Sequence, residues 1–446
     1  MIKSPQLTQE RTVCYMNHSI KKMLRLIDPN LTILEITQEK INHQMTLVIK
    51  ADLSPQPSPC KCCGANVIDE DGKFAVVKNG KKTVTVRLEA FNHLPMVMHL
   101  NKQRYACKKC KHYWTAQSYF IRPHHSISEQ VRFKMMDLLK EKVSLTFIAK
   151  QCQVSISTVI RVLRSFKPQL PKAKQLYLPK VLLVDEFRSH TSLEDKMSFI
   201  CVDGETGKLL DVLPTRKLSY LKNYFQNAQN KEDVQFLVSD MNASYMQLIA
   251  SHFPNAQLII DRFHIVKHIN QALNDCRVRE MKELIKEKKR SQATKLKSNW
   301  RYILKKRATL DVTEYKSWRS FRQPKFPLLT EEMMVDRLLA FSPKLKLGYQ
   351  YVHDLLEAFD DKDPDTFFEI LKTLPDTLDE VLKEKLQNLL NYEEGIRNAL
   401  IYPYSNGKIE AKNTHIKTLK RVSYGFRSFM NMKLRLFLMN GLIESK

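Results

Sequence analysis

A chain of 446 residues, 43% of them hydrophobic, carries enough apolar material for several packed cores, which excludes a disordered or fibrous protein. Its 73 Lys and Arg against 47 Asp and Glu leave a net charge of +26, a surplus whose self-repulsion a polyanion relieves, so nucleic acid is the expected partner. No run of about 18 apolar residues occurs, and the start MIKSPQLTQERTVC offers no stretch fit for a signal peptide. A soluble, unprocessed, cytoplasmic protein with no membrane partner is therefore expected. Four of the nine cysteines form two Cys-x-x-Cys pairs, which predicts bound metal in a reducing compartment rather than disulfides.

Residues 1–55 read as a helix near His18–Ile27 and two strand-length apolar segments, Leu31–Ile36 and Met45–Ile49, ended by the proline-rich SPQPSPC. Residues 56–120 hold Cys60-Lys-Cys-Cys63 and Cys107-Lys-Lys-Cys110, with KKTVTVRLE and PMVMHLNKQRYAC between them alternating as antiparallel strands do. Each thiolate pair can form one edge of a tetrahedral zinc site, so Cys60, Cys63, Cys107 and Cys110 are the expected Zn²⁺ ligands. Cys62, His93, His99 and His112 are the other donors nearby, and free buried cysteines are the alternative. Residues 121–170 have apolar positions at helical spacing, with Cys152-Gln-Val-Ser-Ile-Ser as the turn of a helix-turn-helix. Ser157 and Thr158 would then open the recognition helix, and Arg161 and Arg164 would reach phosphates or bases; a plain three-helix packing unit is the alternative. Residues 171–180, within PQLPKAKQLYLPK, read as a linker.

The run KVLLVDEFR has the continuous apolar character of a strand buried on both faces. MSFICVD and KLLDVLPTR follow as a meander around GETG, and then come a helix, a strand (VQFLVSD), a helix and a strand (AQLIID). The order βββαβαβ is that of an RNase H-like α/β core lacking its last helix. Asp185, Asp240 and Asp261 each close an apolar run and so lie at strand ends, and in such a sheet the first strand neighbours the fourth. That makes Asp185 and Asp240 neighbours in space, hard oxygen ligands suited to Mg²⁺ or Mn²⁺. Residues 265–400 read as an all-helical insertion, leaving 181–264 and 401–446 to form the core. A helix from Lys408 would supply the missing element, with Glu410, Asn413, Lys417 and Arg421 on one face and Ile409 and Ile416 on another. The fold class is thus multidomain α+β.

Taken together, CKCCG, RYACKKC, VDEF, SDMNASY, FPNAQLIIDRFHIVKH and SNGKIEAKNTHIKTLKRVSYGFR resemble the ISL-three family of bacterial insertion-sequence transposases, within the DDE group, over nearly the full length. One departure is the first knuckle, Cys-Lys-Cys-Cys, where relatives have a proline and one fewer cysteine. The resemblance implies that Asp185, Asp240 and Glu410 are the catalytic triad holding two Mg²⁺ or Mn²⁺ ions, with Asp261 and His264 of the DRFH block and Asn413 in support. It implies metal-dependent cleavage and strand transfer of double-stranded DNA, both terminal inverted repeats and target, with Lys417, Lys420 and Arg421 holding phosphates. A homodimer or higher oligomer on DNA, at the bacterial nucleoid, follows from the need to join two ends. A zinc-containing transcriptional regulator, or an RNase H-like nuclease that cuts without joining, are the competing functions.

Overall fold

The computed structural model describes residues 17–172, 176–189, 196–321 and 328–444, so the start at 1–16 and positions 173–175 of the linker lie outside the described residues. The protein is a multidomain α+β chain of two compact units, Met1–Leu170 with Thr418–Lys446, and Pro171–Lys417. Among the described residues no helix is long and apolar enough to cross a membrane.

In the first unit β1 (Leu31–Ile41), β2 (Gln44–Leu53), β3 (Val76–Phe91), β4 (Leu94–Cys107) and β5 (Tyr113–Thr115) form one sheet in the order β1-β2-β4-β3, with β5 on β4. Asn42-His43 and Asn92-His93 turn the two hairpins, all four residues at positive φ, the backbone twist that two-residue hairpins require and that asparagine tolerates. β2 runs parallel to β4, Leu47 facing Met96 through Leu53 facing Lys102, so the segments expected as separate modules at 1–55 and 56–120 share one sheet and one core. That core is built from alternate residues such as Ile49, Ala51, Leu53, Val86, Met98 and Leu100.

Three helices follow, α1 (Glu129–Lys140), α2 (Leu145–Cys152) and α3 (Ile156–Arg164), each opened by a serine whose hydroxyl accepts a backbone N–H: Ser128, Ser144 and Ser155. Gln153, in the left-handed region, ends α2 and turns the chain into α3. Ser155 is the cap, which puts Ser157 and Thr158 inside the first turn of α3 rather than at its start.

The second unit contains a five-stranded sheet, ordered β10 (Gln257–Ile260), β9 (Phe236–Ser239), β6 (Val181–Arg188), β7 (Met197–Asp203), β8 (Leu209–Leu213). β6, β7 and β8 are antiparallel, while β9 is parallel to β6 and β10 to β9. α4 (Leu218–Gln226) and α5 (Ala243–His252) pack on each other between these strands in sequence. α6 (Arg262–Lys286) opens a mostly helical stretch comprising α7 (Arg290–Ser298), α8 (Trp300–Ile303), α9 (Glu331–Leu339), α10 (Pro343–Asp360), α11 (Pro364–Lys372), α12 (Glu380–Gln387) and α13 (Glu393–Ile401). The stretch is not all helical: Lys316–Ser317 and Leu328–Leu329 pair as a two-stranded ribbon.

α13 belongs to the sheet in packing terms, although it falls in the expected insertion. It lies along the edge strand β10, where the Asn398 amide donates to the Leu258 carbonyl at 2.8 Å and so satisfies an edge group that would otherwise be unpaired. Gly395 makes the approach possible, since a Cβ there would sit 2.8 Å from Ile260 and 3.2 Å from Leu258. α14 (Gly407–Val422) is anchored at its start by Lys408, whose ammonium donates to the Gly204 and Glu205 carbonyls at 2.8 and 2.5 Å in the β7–β8 turn.

The expected single segment 401–446 divides. α15 (Phe429–Met439) packs on α1 and α3 in the first unit, where Arg435, fully buried, donates to the Glu141 and Val143 carbonyls at the end of α1. Replacing Gly395 by Ala overpacks the α13–β10 contact, which costs about 1–3 kcal/mol. Thermal denaturation should show a midpoint a few degrees lower, and an unchanged midpoint would mean that the helix does not press on the strand.

Candidate functional site

The first candidate centre lies in the sheet unit. The Cys60 and Cys63 thiols occupy the loop before β3, Cys107 ends β4, and Cys110 follows in the next turn. Their four sulfurs lie within 4.8 Å of one another, with Cys60 to Cys110 at 3.5 Å and Cys63 to Cys107 at 3.7 Å. Four sulfurs at about 2.3 Å from one tetrahedral ion are about 3.8 Å apart, so the spacing fits zinc. The amides of Cys63 and then Cys62 aim at the Cys60 sulfur and lower its pKa to about 6; those of Cys110 and Lys109 lower Cys107 in the same way. Backbone donors that favour thiolate are what a metal-binding knuckle needs. Among the described residues this is the group of three or more Cys, His, Asp or Glu with such geometry, and Cys62, His93, His99 and His112 are not part of it. Purified protein is expected to carry about one zinc per chain by elemental analysis, falling to background in Cys107→Ser; zinc retained by that variant would remove Cys107 from the site.

The second centre is acidic and lies in the other unit. Asp185 is in the middle of β6, not at its end: it faces Ile200 of β7, two residues beyond the last β6–β9 pair, Leu183 with Val238. Asp240 follows β9 directly, so the parallel pairing delivers both carboxylates to the same end of the sheet. Burial above all, with the Asp240 charge adding to it, pushes Asp185 up to about 6, although the Glu186 amide pulls the other way. Asp240 is also raised, by burial and then by the Glu186 charge. Its Oδ1 is buried without a hydrogen-bond partner among the described residues. Asp185 Oδ2 accepts from the Asn413 amide at 2.7 Å.

Asp261 lies at the N-terminus of α6, 3% exposed, and accepts from the Asn406 backbone amide at 3.2 Å and pairs with His264 Nδ1 at 2.9 Å. That hydrogen bond first, and the charges of Asp261, Asp240 and Asp185 after it, raise the His264 pKa. The acid cluster thus draws Asp185, Asp240, His264 and Asn413 together. Glu410 and Lys417 are exposed on α14, whereas Asn413 is buried and shares the inner face with Ile409 and Ile416. The expected common face is therefore split: 100° per residue puts Asn413 between the two sets, and burial assigns it inward.

Glu186 was not among the expected site residues. Its Oε1 accepts from the Tyr245 hydroxyl at 2.9 Å and the Asn242 amide at 3.1 Å, and its Oε2 pairs with Arg216 at 2.5 Å. It ties the turn after Asp240 to β6. An acid beside an acid gives no periodic signal, and its partners lie up to 59 residues away. In α3, Arg161, Ser157 and Arg164 are exposed, and Arg164 holds Asn431 of α15 at 3.1 Å.

Because Asp185 holds its proton more tightly folded than unfolded, its contribution to stability is present below pH 4 and is lost as pH rises to about 6. With chelator present, Asp185→Asn should unfold at higher temperature than the parent at pH 7.5, by up to about 3 kcal/mol, with the gap closing toward pH 4. Parallel stability curves at all pH values would refute the burial of this charge.

Residues 182–436, more than half of the chain, match the family of transposases designated DDE ISL3. A protein of Lactococcus lactis subsp. lactis described as an ATP-dependent protease is 46% identical over 113 residues, 25% of this chain and 36% of that protein. The transposase for insertion sequence element IS1001 of Bordetella parapertussis is 24% identical over 261 residues, 57% of this chain and 60% of that protein. The chain spans less than two thirds of the length of either relative.

Proposed function

Since this chain belongs to the ISL3 family of DDE transposases, we propose that it binds the terminal inverted repeats of an insertion sequence and catalyses metal-dependent cleavage and strand transfer there. One observation carries the assignment of the site: Asp185 and Asp240 are brought to one end of parallel strands, half-buried, with an Asp240 oxygen left unpaired. Neighbouring carboxylates held in that state fit a hard divalent cation, Mg²⁺ or Mn²⁺. The strand order, three antiparallel strands followed by two parallel ones, supports an RNase H-like core.

Asp185 and Asp240 would hold one ion, and Asp185 with Glu410 a second. Bound ions supply charge neutralisation on both sides of an in-line displacement at phosphorus and lower the pKa of the attacking water. Asp261 and His264 would orient the edge of the site, Asp261 holding the imidazole at Nδ1. Glu186 keeps the Asp240 turn fixed, so that the carboxylates meet the phosphodiester without rearranging. Lys417, Lys420 and Arg421 on α14 would hold flanking phosphates. A free 3′ hydroxyl left by the first cut would then attack target DNA, with no covalent protein intermediate.

Recognition would fall to the zinc module and to a helix-turn-helix formed by α2 and α3, whose exposed Ser157 and Arg161, together with Thr158 and Arg164, would meet DNA. Two ends have to be joined, so a dimer or larger assembly on DNA is proposed.

Duplex DNA carrying the inverted repeats that flank the coding region tests this directly. Wild-type protein should cut it with Mg²⁺ and join pre-cleaved ends to a target; Asp185→Asn, Asp240→Asn and Glu410→Gln should each lower both to background while leaving repeat binding unchanged. Cleavage that survives all three changes would contradict the site. Cutting without joining would make the protein a nuclease, and binding without cutting a regulator.

A further inference from the structure

The acid cluster contains a second unpaired oxygen that the DDE assignment does not use. Asn413 is 7% exposed, and its Nδ2 donates to Asp185 Oδ2 at 2.7 Å while its Oδ1 is buried with no partner. The orientation follows from charge: an ionised Asp185 demands the NH₂ end, since a carbonyl oxygen at that distance would be repelled. Oδ1 is thereby held on the inner face of α14, beside Asp185, and Asp240 Oδ1 is likewise buried without a partner among the described residues. A buried amide oxygen without a donor is costly, and no donor among the described residues meets this one. Glu410, one turn earlier, is on the exposed face.

We propose that Asn413 is an oxygen ligand of the cation held by Asp185 and Asp240, its Oδ1 completing from the helix the set that the two strands begin. Hard divalent ions accept amide oxygens alongside carboxylates, and a neutral ligand adds coordination without adding a third charge to a pair that already repels. Glu410 is then left free to act at the other ion from the outer face. This rests on the proposed catalytic site.

Mn²⁺ titration followed by electron paramagnetic resonance, on the zinc-loaded 446-residue chain without DNA, tests the assignment independently of activity. Asn413→Ala should weaken Mn²⁺ binding about tenfold or more. Asn413→Asp, which loses the donor to Asp185 but offers an oxygen in the same place, should bind Mn²⁺ at least as tightly as the parent at pH 8. Equal weakening in both variants would show that Asn413 only positions Asp185, and parent-like binding by Asn413→Ala would remove it from the site; either result overturns the proposal. Circular dichroism in chelator identifies a variant that fails to fold, and the other variant then decides alone, Asn413→Ala by weakened or parent-like binding and Asn413→Asp by retained or weakened binding. If Asp185→Asn keeps its Mn²⁺, the cation site itself fails, which is a different outcome from failure at Asn413.

Discussion

Two carboxylates brought near each other where water is scarce repel, and in this protein the pairing of the strands that carry them sets both at one end of the sheet. β6 and β9 run parallel and in register as far as Leu183 and Val238, so Asp185 and Asp240 emerge from the same end of the sheet. Burial drives both toward the protonated form, and an Asp240 oxygen finds no donor. Proteins rarely leave such a cost standing unless something else meets it, and a divalent cation is what we propose meets it here.

Much of the surrounding architecture can be understood as holding this arrangement still. Glu186 gathers Tyr245, Asn242 and Arg216 around the turn after Asp240. Asp261 orients His264 toward the pair and receives the Asn406 amide at the entry to α14. Lys408 fixes that helix to the β7–β8 turn, and α13 closes the β10 edge through the gap left by Gly395. Buried side-chain atoms of Asp240, Asn406 and Asn413 without partners among the described residues accompany this end of the sheet, as at sites built for chemistry rather than stability.

The strands of this sheet were legible because VLLVD, FICVD, FLVS and LIID are uninterrupted apolar runs, and burial on both faces allows nothing else. Their neighbours followed from the order of elements. The cysteine knuckles were equally plain, because Cys-x-x-Cys is local chemistry. Three features were not legible for a common reason: they depend on partners distant in sequence. The parallel β2–β4 pairing merges two expected modules; α15 leaves the expected core to pack on α1 and α3; and Asn413 turns inward because Asp185, far earlier in the chain, receives its amide. A helical wheel places Asn413 at a boundary, and only the tertiary partner decides which side it joins. Family resemblance pointed to Glu410, but no periodicity could have pointed to Glu186.

In the proposed function Asp185 and Asp240 share a cation, toward which Asp240 Oδ1, without a donor among the described residues, is left open. Crystals grown with Mn²⁺ and measured near the manganese absorption edge address it most directly. An anomalous peak is expected at coordination distance from a carboxylate oxygen of Asp185 and from Asp240 Oδ1, separate from the zinc peak among the four cysteines. A map with zinc at the cysteines, no manganese at the aspartates and Asp240 Oδ1 bonded to a protein donor would contradict it.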